Sequence, residues 1–379
     1  MLINFEVRNY KTFNGSIGID FSDVCGYKFN QACITNNVLS KVLIYGRNAT
    51  GKTNLGGAIQ DIYYTLFSLN NRRTALLNAD TKGEEIFFSY TFKFGDDVLK
   101  YEYSRSEADR LLTESLFLNG DIVYKYDFSK RIMLDENLEI LREGPILYER
   151  FIDSMTDELI NLEDTTFLRW IYSNISLTNE SHLVSLMDYI NRMQFVSVQT
   201  DYFYKKDNLI QKRFFEIIEN KAELKKFEEF LNAMGVECKL ELKKLPDGQH
   251  ALYFKHNKLV PFFETASSGT KSLVDLYRKI FLTEREPSFL YMDEFDAFYH
   301  YEMSEKLLNY MINNYPNTQI VLTTHNTNLM SNKNLRPDCL MILSRDGRIT
   351  SLTHATNREL REGHNLEKMY IAGEFQMYE

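Results

Sequence analysis

Hydrophobic and polar residues near the N-terminus first alternate and then give way to a continuous apolar run. The stretches LINFEV (2–7) and GSIGIDF (15–21) have a period of two, which predicts β-strands. KVLIY (41–45) is typical of a strand buried on both faces. Helical spacing follows in Leu55, Ala58, Ile59, Ile62, Tyr63 and Leu66. The segment between them therefore joins a strand to a helix.

The period of two returns at residue 84 and persists over four segments. EEIFFSYTFKF and VLKYEYS flank a turn at residues 95–97, and ESLFL and DIVYKYD flank Asn119-Gly120. Asn-Gly between alternating runs is a strong hairpin signal, because both residues tolerate the positive φ angles of a tight turn. We expect an antiparallel β subdomain over residues 81–140.

The centre and the C-terminal part differ in pattern. Residues 145 to 236 are polar-rich with apolar residues at helical spacing, which predicts a helical insertion over residues 141–240. A third hairpin turns at residues 246–248, and helices and strands then alternate. The N-terminal lobe (1–80) and the C-terminal lobe (241–379) are therefore expected to form one α/β fold that carries the other two parts as insertions.

Composition and charge narrow the class of protein. The chain has 379 residues, 44% of them hydrophobic, and a net charge of −9, which disfavours a surface wholly devoted to nucleic acid. The four cysteines (Cys25, Cys33, Cys238, Cys339) form no CxxC pair, so reduced thiols are expected. No apolar run approaches the length of a spanning helix. We expect a cytoplasmic protein without a membrane partner.

The loop GRNATGKT (46–53) matches the phosphate-binding pattern G-x-x-x-x-G-K-[ST]. Gly46 and Gly51 allow the backbone N–H groups to approach a phosphate, and the following helix adds its positive N-terminal dipole. Lys52 is expected to reach the β- and γ-phosphates, and the Thr53 hydroxyl to bind Mg²⁺. The flanking strand and helix argue against a chance glycine turn.

A second acidic element follows the apolar run FLYM. Asp293 is predicted to hold Mg²⁺ at the strand end, and Glu294 to act as the general base that polarises the attacking water. The alternative, an acidic strand exit without function, is weakened by the phosphate-binding loop earlier in the chain.

Two further pieces have competing structural interpretations. TASSGTKS (265–272) either presents a second anion-binding helix N-terminus or is a simple N-cap made by Ser267 or Ser268. His325 ends the apolar strand IVLTTH, where it either donates to a γ-phosphate or is an ordinary strand-end histidine.

The order of these motifs resembles the ATP-binding-cassette (ABC) ATPases, and within them the SMC/RecF/OLD-like branch. Asn48 and Asn54 around the loop, and DEFDAF after the apolar strand, carry that resemblance. More narrowly, the chain is similar to the AAA-15 ATP/GTP phosphatases (RloA/AbiL-type) of abortive-infection and restriction-linked loci. The matching stretches cover roughly the first 70 and last 130 residues: FEVRNYKTF, SSGTKSL, MDEFDAFYH, LTTHNTNLM, LRPD and GHNLEKMYIAGEF.

The resemblance implies a P-loop NTPase of the ABC/SMC-like head type that uses ATP and Mg²⁺ in a homodimer or a higher homo-oligomer. Ser267, Ser268, Gly269 and Thr270 would contact the γ-phosphate held by a partner's loop. Glu294, Lys52 and His325 would be catalytic, and Asn48 and Asn54 would join the nucleotide-binding residues.

The resemblance leaves other positions open. His300 takes the place of the aspartate that many relatives have in the D-loop, which spans residues 296–300 here. Gln194 and Gln199 are both candidates for the Q-loop glutamine. Tyr10 and Lys11 are candidates for contact with the base or ribose.

Three functions are compatible with this sequence. The first is an ATP-driven switch that controls a separate effector, such as a nuclease or toxin, in anti-phage defence. The second is an ATP-dependent DNA-binding clamp resembling RecF, with DNA contacts from KKDNLIQKR (205–213) and KAELKK (221–226). The third is a nucleotide-gated scaffold with little turnover. The 54 residues after His325 contain no cluster of carboxylates suited to two metals, so we expect the chain not to be a nuclease itself.

Overall fold

The computed structural model describes most of the chain. The described residues are 1–67, 76–137, 150, 151, 153, 165–175, 177, 181–197, 208–280, 282 and 285–378. Strands and helices are numbered below in chain order within these residues.

The strands are β1 (Leu2–Arg8), β2 (Ser16–Asp20), β3 (Ile34–Thr35), β4 (Val38–Leu39), β5 (Lys41–Tyr45), β6 (Glu85–Phe94), β7 (Asp97–Ser106), β8 (Leu111–Leu118), β9 (Asp121–Asp127), β10 (Ile132–Glu136), β11 (Met193–Ser197), β12 (Leu240–Lys244), β13 (His250–Lys255), β14 (Leu259–Pro261), β15 (Phe289–Asp293), β16 (Gln319–Thr324), β17 (Leu340–Leu343) and β18 (Ile349–Ser351). The helices are α1 (Lys52–Phe67), α2 (Phe167–Asn174), α3 (His182–Asn191), α4 (Asn208–Ile218), α5 (Lys221–Ala233), α6 (Phe262–Thr265), α7 (Ser268–Ile280), α8 (Tyr301–Asn314) and α9 (Leu366–Ile371).

A six-stranded sheet in the order β11-β15-β16-β5-β17-β18 carries the predicted motifs. Its first five strands are parallel, and β18 pairs antiparallel with β17. Every residue of β5, β15 and β16 is buried, as expected for parallel strands covered on both faces. The carboxyl ends of these three strands therefore meet at one edge of the sheet, which is where α/β folds bind ligands.

A second, antiparallel sheet has the order β10-β9-β8-β7-β6-β1-β2. The two hairpins predicted between residues 84 and 127 are present, with β6 paired to β7 and β8 to β9. Strand β1 pairs with β6, so the expected β subdomain shares its sheet with the N-terminal strands. The period of two identified the strands, but it carries no information on which distant strand pairs with the edge of β6.

Helix α1 lies between the two sheets. The Tyr90 hydroxyl of β6 donates to the Ala58 carbonyl at 2.7 Å, and the Tyr103 hydroxyl of β7 donates to Asp61 Oδ2 at 2.8 Å. On the other side Gly56 faces the parallel sheet, where an added Cβ would overlap with the rings of Phe195 and Tyr291. Glycine permits this close approach, and the helix that follows the phosphate-binding loop is thereby fixed by both sheets.

One part of the predicted helical insertion is a strand. Residues 193–197 form β11, which pairs in parallel with β15 and extends the main sheet. This segment, MQFVS, has only three apolar residues and no regular period, so its pattern does not separate a short strand from part of a helix. The neighbouring residues do form helices, and α4 packs on α5 through an edge-to-face contact of Phe214 and Phe227 at 5.5 Å.

A small sheet of β12, β13 and β14 includes the third predicted hairpin. Within the described part of the chain, no helix combines the length and the apolar character that crossing a membrane requires.

Candidate nucleotide-binding and hydrolysis site

The loop between β5 and α1 has the conformation that its glycine pattern predicts. Gly51 has φ 101°, and an added Cβ would lie 2.8 Å from the Phe13 ring and 2.9 Å from Thr12 Oγ1. Ala49 has φ 64°, an unusual angle for a residue with a side chain. Gly46 at the start of the loop is held by a hydrogen bond from its N–H to the Thr324 carbonyl at 3.2 Å. Two left-handed residues within three positions shape a tight turn at the N-terminus of α1.

Lys52 lies across this loop. Its side chain is buried, and Nζ donates to the carbonyls of Gly46 at 2.8 Å and Arg47 at 3.1 Å. Burial lowers the pKa of the ammonium, while the carboxylates of Glu294 and Asp293 act in the opposite direction. Since the ammonium lies on the carbonyls of the loop, it is placed to compensate the charge of a phosphate bound there.

Thr53 and Asp293 form the oxygen pair expected for a metal. The Thr53 hydroxyl donates to Asp293 Oδ2 at 2.6 Å, and the Thr323 hydroxyl donates to Asp293 Oδ1 at 2.9 Å. Mg²⁺ prefers hard oxygen ligands, and cis ligands at about 2.1 Å from the ion lie about 3 Å apart. Asp293 is buried and fixed, whereas Thr53 is exposed. The pair therefore offers two neighbouring oxygen ligands on one side of a Mg²⁺ ion and leaves the other side open.

Glu294 leaves the sheet in an unusual backbone conformation. Its φ is 49°, and its N–H donates to Thr323 Oγ1 at 2.8 Å. Left-handed backbone at a residue with a side chain is often found where function requires it. Thr323 therefore connects the metal-binding candidate Asp293 with the candidate base. Sequence reasoning missed Thr323, although its position just before the end of the apolar strand IVLTTH was a usable signal.

His325 follows β16 at the same edge of the sheet and is exposed. The preceding Thr324 hydroxyl donates to Asp296 Oδ2 at 2.8 Å and accepts from the N–H of Asn326 at 2.9 Å. Burial raises the pKa of Asp296, and the nearby His325 opposes that rise. Thr324 thus ties the predicted switch histidine to the first residue of the predicted D-loop.

The serine-glycine turn is an N-cap of α7 in this structure. Ser267 Oγ accepts from the N–H of Thr270 at 3.1 Å and lies 2.9 Å from the Thr270 hydroxyl. Ser267 and Ser268 are both exposed. Gly269 packs on the 294–299 segment, where its Cβ would lie 3.5 Å from the Phe298 carbonyl. Among the hydrogen bonds of the described residues, none joins this turn to the phosphate-binding loop of the same chain.

The remaining predicted residues are distributed around the loop. Asn54 Nδ2 donates to Thr12 Oγ1 at 3.0 Å, and Asn48 is exposed at the tip of the loop. Gln194 pairs with Leu290 near the start of β11, three residues before the edge that carries Asp293. Gln199 lies outside the described residues.

Three other candidates are defined by burial and backbone geometry. Tyr10 is only 1% exposed and packs on Phe88, which leaves a nucleotide no access to it in this conformation. Lys11 has φ 48°, and its N–H donates to the Leu76 carbonyl at 2.6 Å. His300 occupies the N-cap position of α8 without a side-chain capping bond.

A parallel sheet, a glycine loop before a helix, and a threonine-aspartate pair at the sheet edge define a P-loop protein. A family model matches residues 42–331, and the chain belongs to that family, described as "AAA domain, putative AbiEii toxin, Type IV TA system". The match includes the glycine loop, the 265–272 turn, the acidic strand end and His325. No curated protein matches the chain.

Solved structures of SMC heads are similar to this chain over nearly its full length. The SMC head bound to the C-winged helix domain of ScpA has 16% identity and a TM-score of 0.48, with 93% of this chain and 97% of that chain covered. The SMC head domain from Thermotoga maritima has 16% identity and a TM-score of 0.46, with 92% and 98% covered. The SMC head with an extended coiled coil, bound to a ScpA domain derived from Pyrococcus furiosus, has 15% identity and a TM-score of 0.45, with 99% of each chain covered.

Proposed function

We propose that this protein hydrolyses ATP and works as a nucleotide-driven switch. The observation that carries the proposal is the hydrogen-bonded series at the sheet edge, in which Thr53 bonds to Asp293, Asp293 to Thr323, and Thr323 to the N–H of Glu294. This series holds a metal-binding pair next to a carboxylate. A P-loop NTPase that hydrolyses its nucleotide requires these groups close to the γ-phosphate.

Each residue has a separate task in this proposal. The N–H groups of residues 46–52 and the Lys52 ammonium bind the β- and γ-phosphates. Thr53 and Asp293 hold Mg²⁺, which neutralises charge on the transferred phosphoryl group. The Glu294 carboxylate orients a water molecule and accepts its proton, and His325 donates to the γ-phosphate.

The second half of the site is proposed to come from another copy of the chain. Ser267 and Ser268 are exposed at the N-terminus of α7, an element whose dipole favours a bound anion. Because the turn makes no hydrogen bond to the described P-loop of its own chain, we propose that it contacts the γ-phosphate in a partner copy. ATP binding would close such a homodimer and hydrolysis would open it.

We further propose that the switch controls a separate effector, a nuclease or toxin, in anti-phage defence. The description of its family names a putative toxin of a type IV toxin–antitoxin system, which supports this setting. Purifying the tagged chain from its host with and without a non-hydrolysable ATP analogue tests the proposal. A stoichiometric protein partner whose retention depends on the nucleotide is the expected result, and identical retention in both samples contradicts a nucleotide-controlled partner.

Phosphate release by the purified protein tests the enzymatic part. Glu294→Gln is expected to lower kcat by about 10²–10⁴-fold, the usual contribution of a general base, and to leave ATP affinity nearly unchanged. Glu302→Gln, a substitution of an exposed glutamate on α8, is the matched control. A Glu294→Gln enzyme as active as the wild type would refute the assignment of the base.

Duplex DNA binding by the same purified protein distinguishes the switch from a DNA clamp. In α5, Lys226 pairs with Glu223 at 2.6 Å and Lys225 with Glu229 at 3.6 Å, so these lysines belong to a solvated face of mixed charge. We therefore expect weak duplex binding. A steep fall of DNA affinity with increasing salt would instead favour a clamp, because each neutralised phosphate releases a counterion.

A further inference from the structure

We propose that Asp23, Cys25 and His354 form a binding site for a transition-metal ion, with Zn²⁺ as the preferred occupant. A carboxylate oxygen, a sulfur and a ring nitrogen from these residues all lie within 4.8 Å of one another. His354 Nε2 and Asp23 Oδ2 are 2.7 Å apart. The three residues lie outside residues 42–331, which the family model matches, and the proposed ATPase does not use them.

The backbone of Cys25 is held in place by a buried ion pair. Arg336 Nη2 donates to the Cys25 carbonyl at 2.6 Å, and the Cys25 N–H donates to Asp338 Oδ2 at 2.8 Å. Arg336 and Asp338 are bonded to each other at 2.6 Å and are almost completely buried. Because these bonds fix the backbone of Cys25, only its side chain loses conformational freedom when a metal binds, which favours binding.

The histidine is positioned by a separate element. His354 follows β18, and its N–H donates to the Ser351 carbonyl at 3.0 Å. Asp23 and Cys25 follow β2, and β18 lies against β2 where the two large sheets meet. A bound ion would therefore cross-link residues 331 positions apart in the chain and join the loops at the edges of both sheets.

The donor set selects the class of metal. Thiolate and imidazole are ligands for Zn²⁺ and similar ions, whereas Mg²⁺ and Ca²⁺ prefer oxygen alone. Three protein ligands leave one tetrahedral position, and Asp23 and His354 are both exposed, so water has access to that position. The ligand atoms have to separate slightly from the 2.7 Å contact, since oxygen and nitrogen ligands of tetrahedral zinc lie about 3.3 Å apart.

Cobalt titration of the full chain, metal-free and without nucleotide, tests the site, because Co²⁺ reports its ligands by absorbance. One equivalent of Co²⁺ is expected to give visible bands of tetrahedral geometry and a near-ultraviolet sulfur-to-cobalt band. Zn²⁺ added afterwards should abolish both. Cys25→Ser should remove the sulfur band, and His354→Ala should weaken Co²⁺ binding by at least about tenfold.

Two control variants change the same residue types elsewhere. Cys238→Ser and His256→Ala lie outside the cluster and should bind Co²⁺ as the wild type does. Circular dichroism establishes that each variant is folded, and the histidine variant keeps the test valid if the cysteine variant is not. The proposal is overturned if the wild type shows no sulfur-to-cobalt band, or if the band survives in folded Cys25→Ser and His354→Ala proteins.

Discussion

Lys41 is a buried cation on β5, the strand that leads into the P-loop, and its replacement should change how stability depends on pH. The side chain is 2% exposed, and Nζ donates to the Thr318 carbonyl at 2.8 Å. Burial lowers the pKa of Lys41 from 10.5 to about 8, although nearby groups including Glu286 act in the opposite direction. The protonated form is therefore disfavoured in the folded protein.

The size of the effect follows from this pKa. The difference between 10.5 and about 8 corresponds to roughly 3 kcal/mol, because a tenfold change in a proton equilibrium is 1.36 kcal/mol. Between these pH values the unfolded chain binds the Lys41 proton and the folded chain does not, so stability from this group rises with pH. This contribution is complete above pH 10.5 and is lost as the pH falls through about 8.

Lys41→Met removes the charge and keeps the length of the side chain. The lost hydrogen bond to the Thr318 carbonyl should destabilise the variant by about 1 kcal/mol, which partly offsets the gain from removing a buried charge at pH 7. The decisive quantity is the difference in the free energy of unfolding, wild type minus variant. That difference should increase by up to about 3 kcal/mol between pH 7 and pH 10.5.

Urea unfolding of both proteins at several pH values in this window measures the difference. Tyrosines titrate in the same range, but they are common to both proteins and cancel in the comparison. Cys33 does not cancel, because Lys41 lowers the pKa of its thiol, so the titration of Cys33 is part of the measured difference. Lys244→Met, a change of an exposed lysine at the end of β12, should show no comparable pH dependence. A wild-type-minus-variant difference that is constant or falls with pH would refute the reasoning.

Three further substitutions test packing, the buried ion pair and the histidine tether. Gly56→Ala should lower the free energy of unfolding by about 1–3 kcal/mol, because its Cβ overlaps with aromatic rings of the parallel sheet. Gly57→Ala should cause no such loss, and urea unfolding of both variants measures the difference. Arg336→Leu should cost about 3–5 kcal/mol in the same assay by leaving Asp338 buried and unpaired, and an Arg336→Leu/Asp338→Leu double variant should recover most of that loss. Thr324→Val should lower kcat for ATP hydrolysis about tenfold with little change in ATP affinity, and an unchanged kcat would contradict a positioning role.

Much of the site is visible in the sequence because the motifs are local. The apolar run before Gly46, the helical spacing after Lys52 and the run before Asp293 place each residue at the end of its element. The fold class follows from the same alternation of strands and helices. The parallel strands β5, β15 and β16 then bring the motifs that follow them to one edge of the sheet, since the carboxyl ends of parallel strands point the same way.

The antiparallel pairing of β1 with β6 and the strand at residues 193–197 did not follow from periodicity. Both depend on which distant strand offers a free edge for pairing, and a short segment has no local property that identifies its partner. The same holds for Gly56, where glycine is required only because the helix packs closely against the sheet.

The sequence by itself determined the P-loop, the acidic strand end and the α/β class, because each is written in residues adjacent along the chain. Only the tertiary structure decided that Thr323 connects Asp293 with Glu294. It also decided that the hydroxyl of Thr324, which precedes His325, donates to Asp296. These hydrogen bonds span about thirty residues and exist because neighbouring parallel strands end side by side. Local propensity has no means of encoding such a contact before the sheet is assembled.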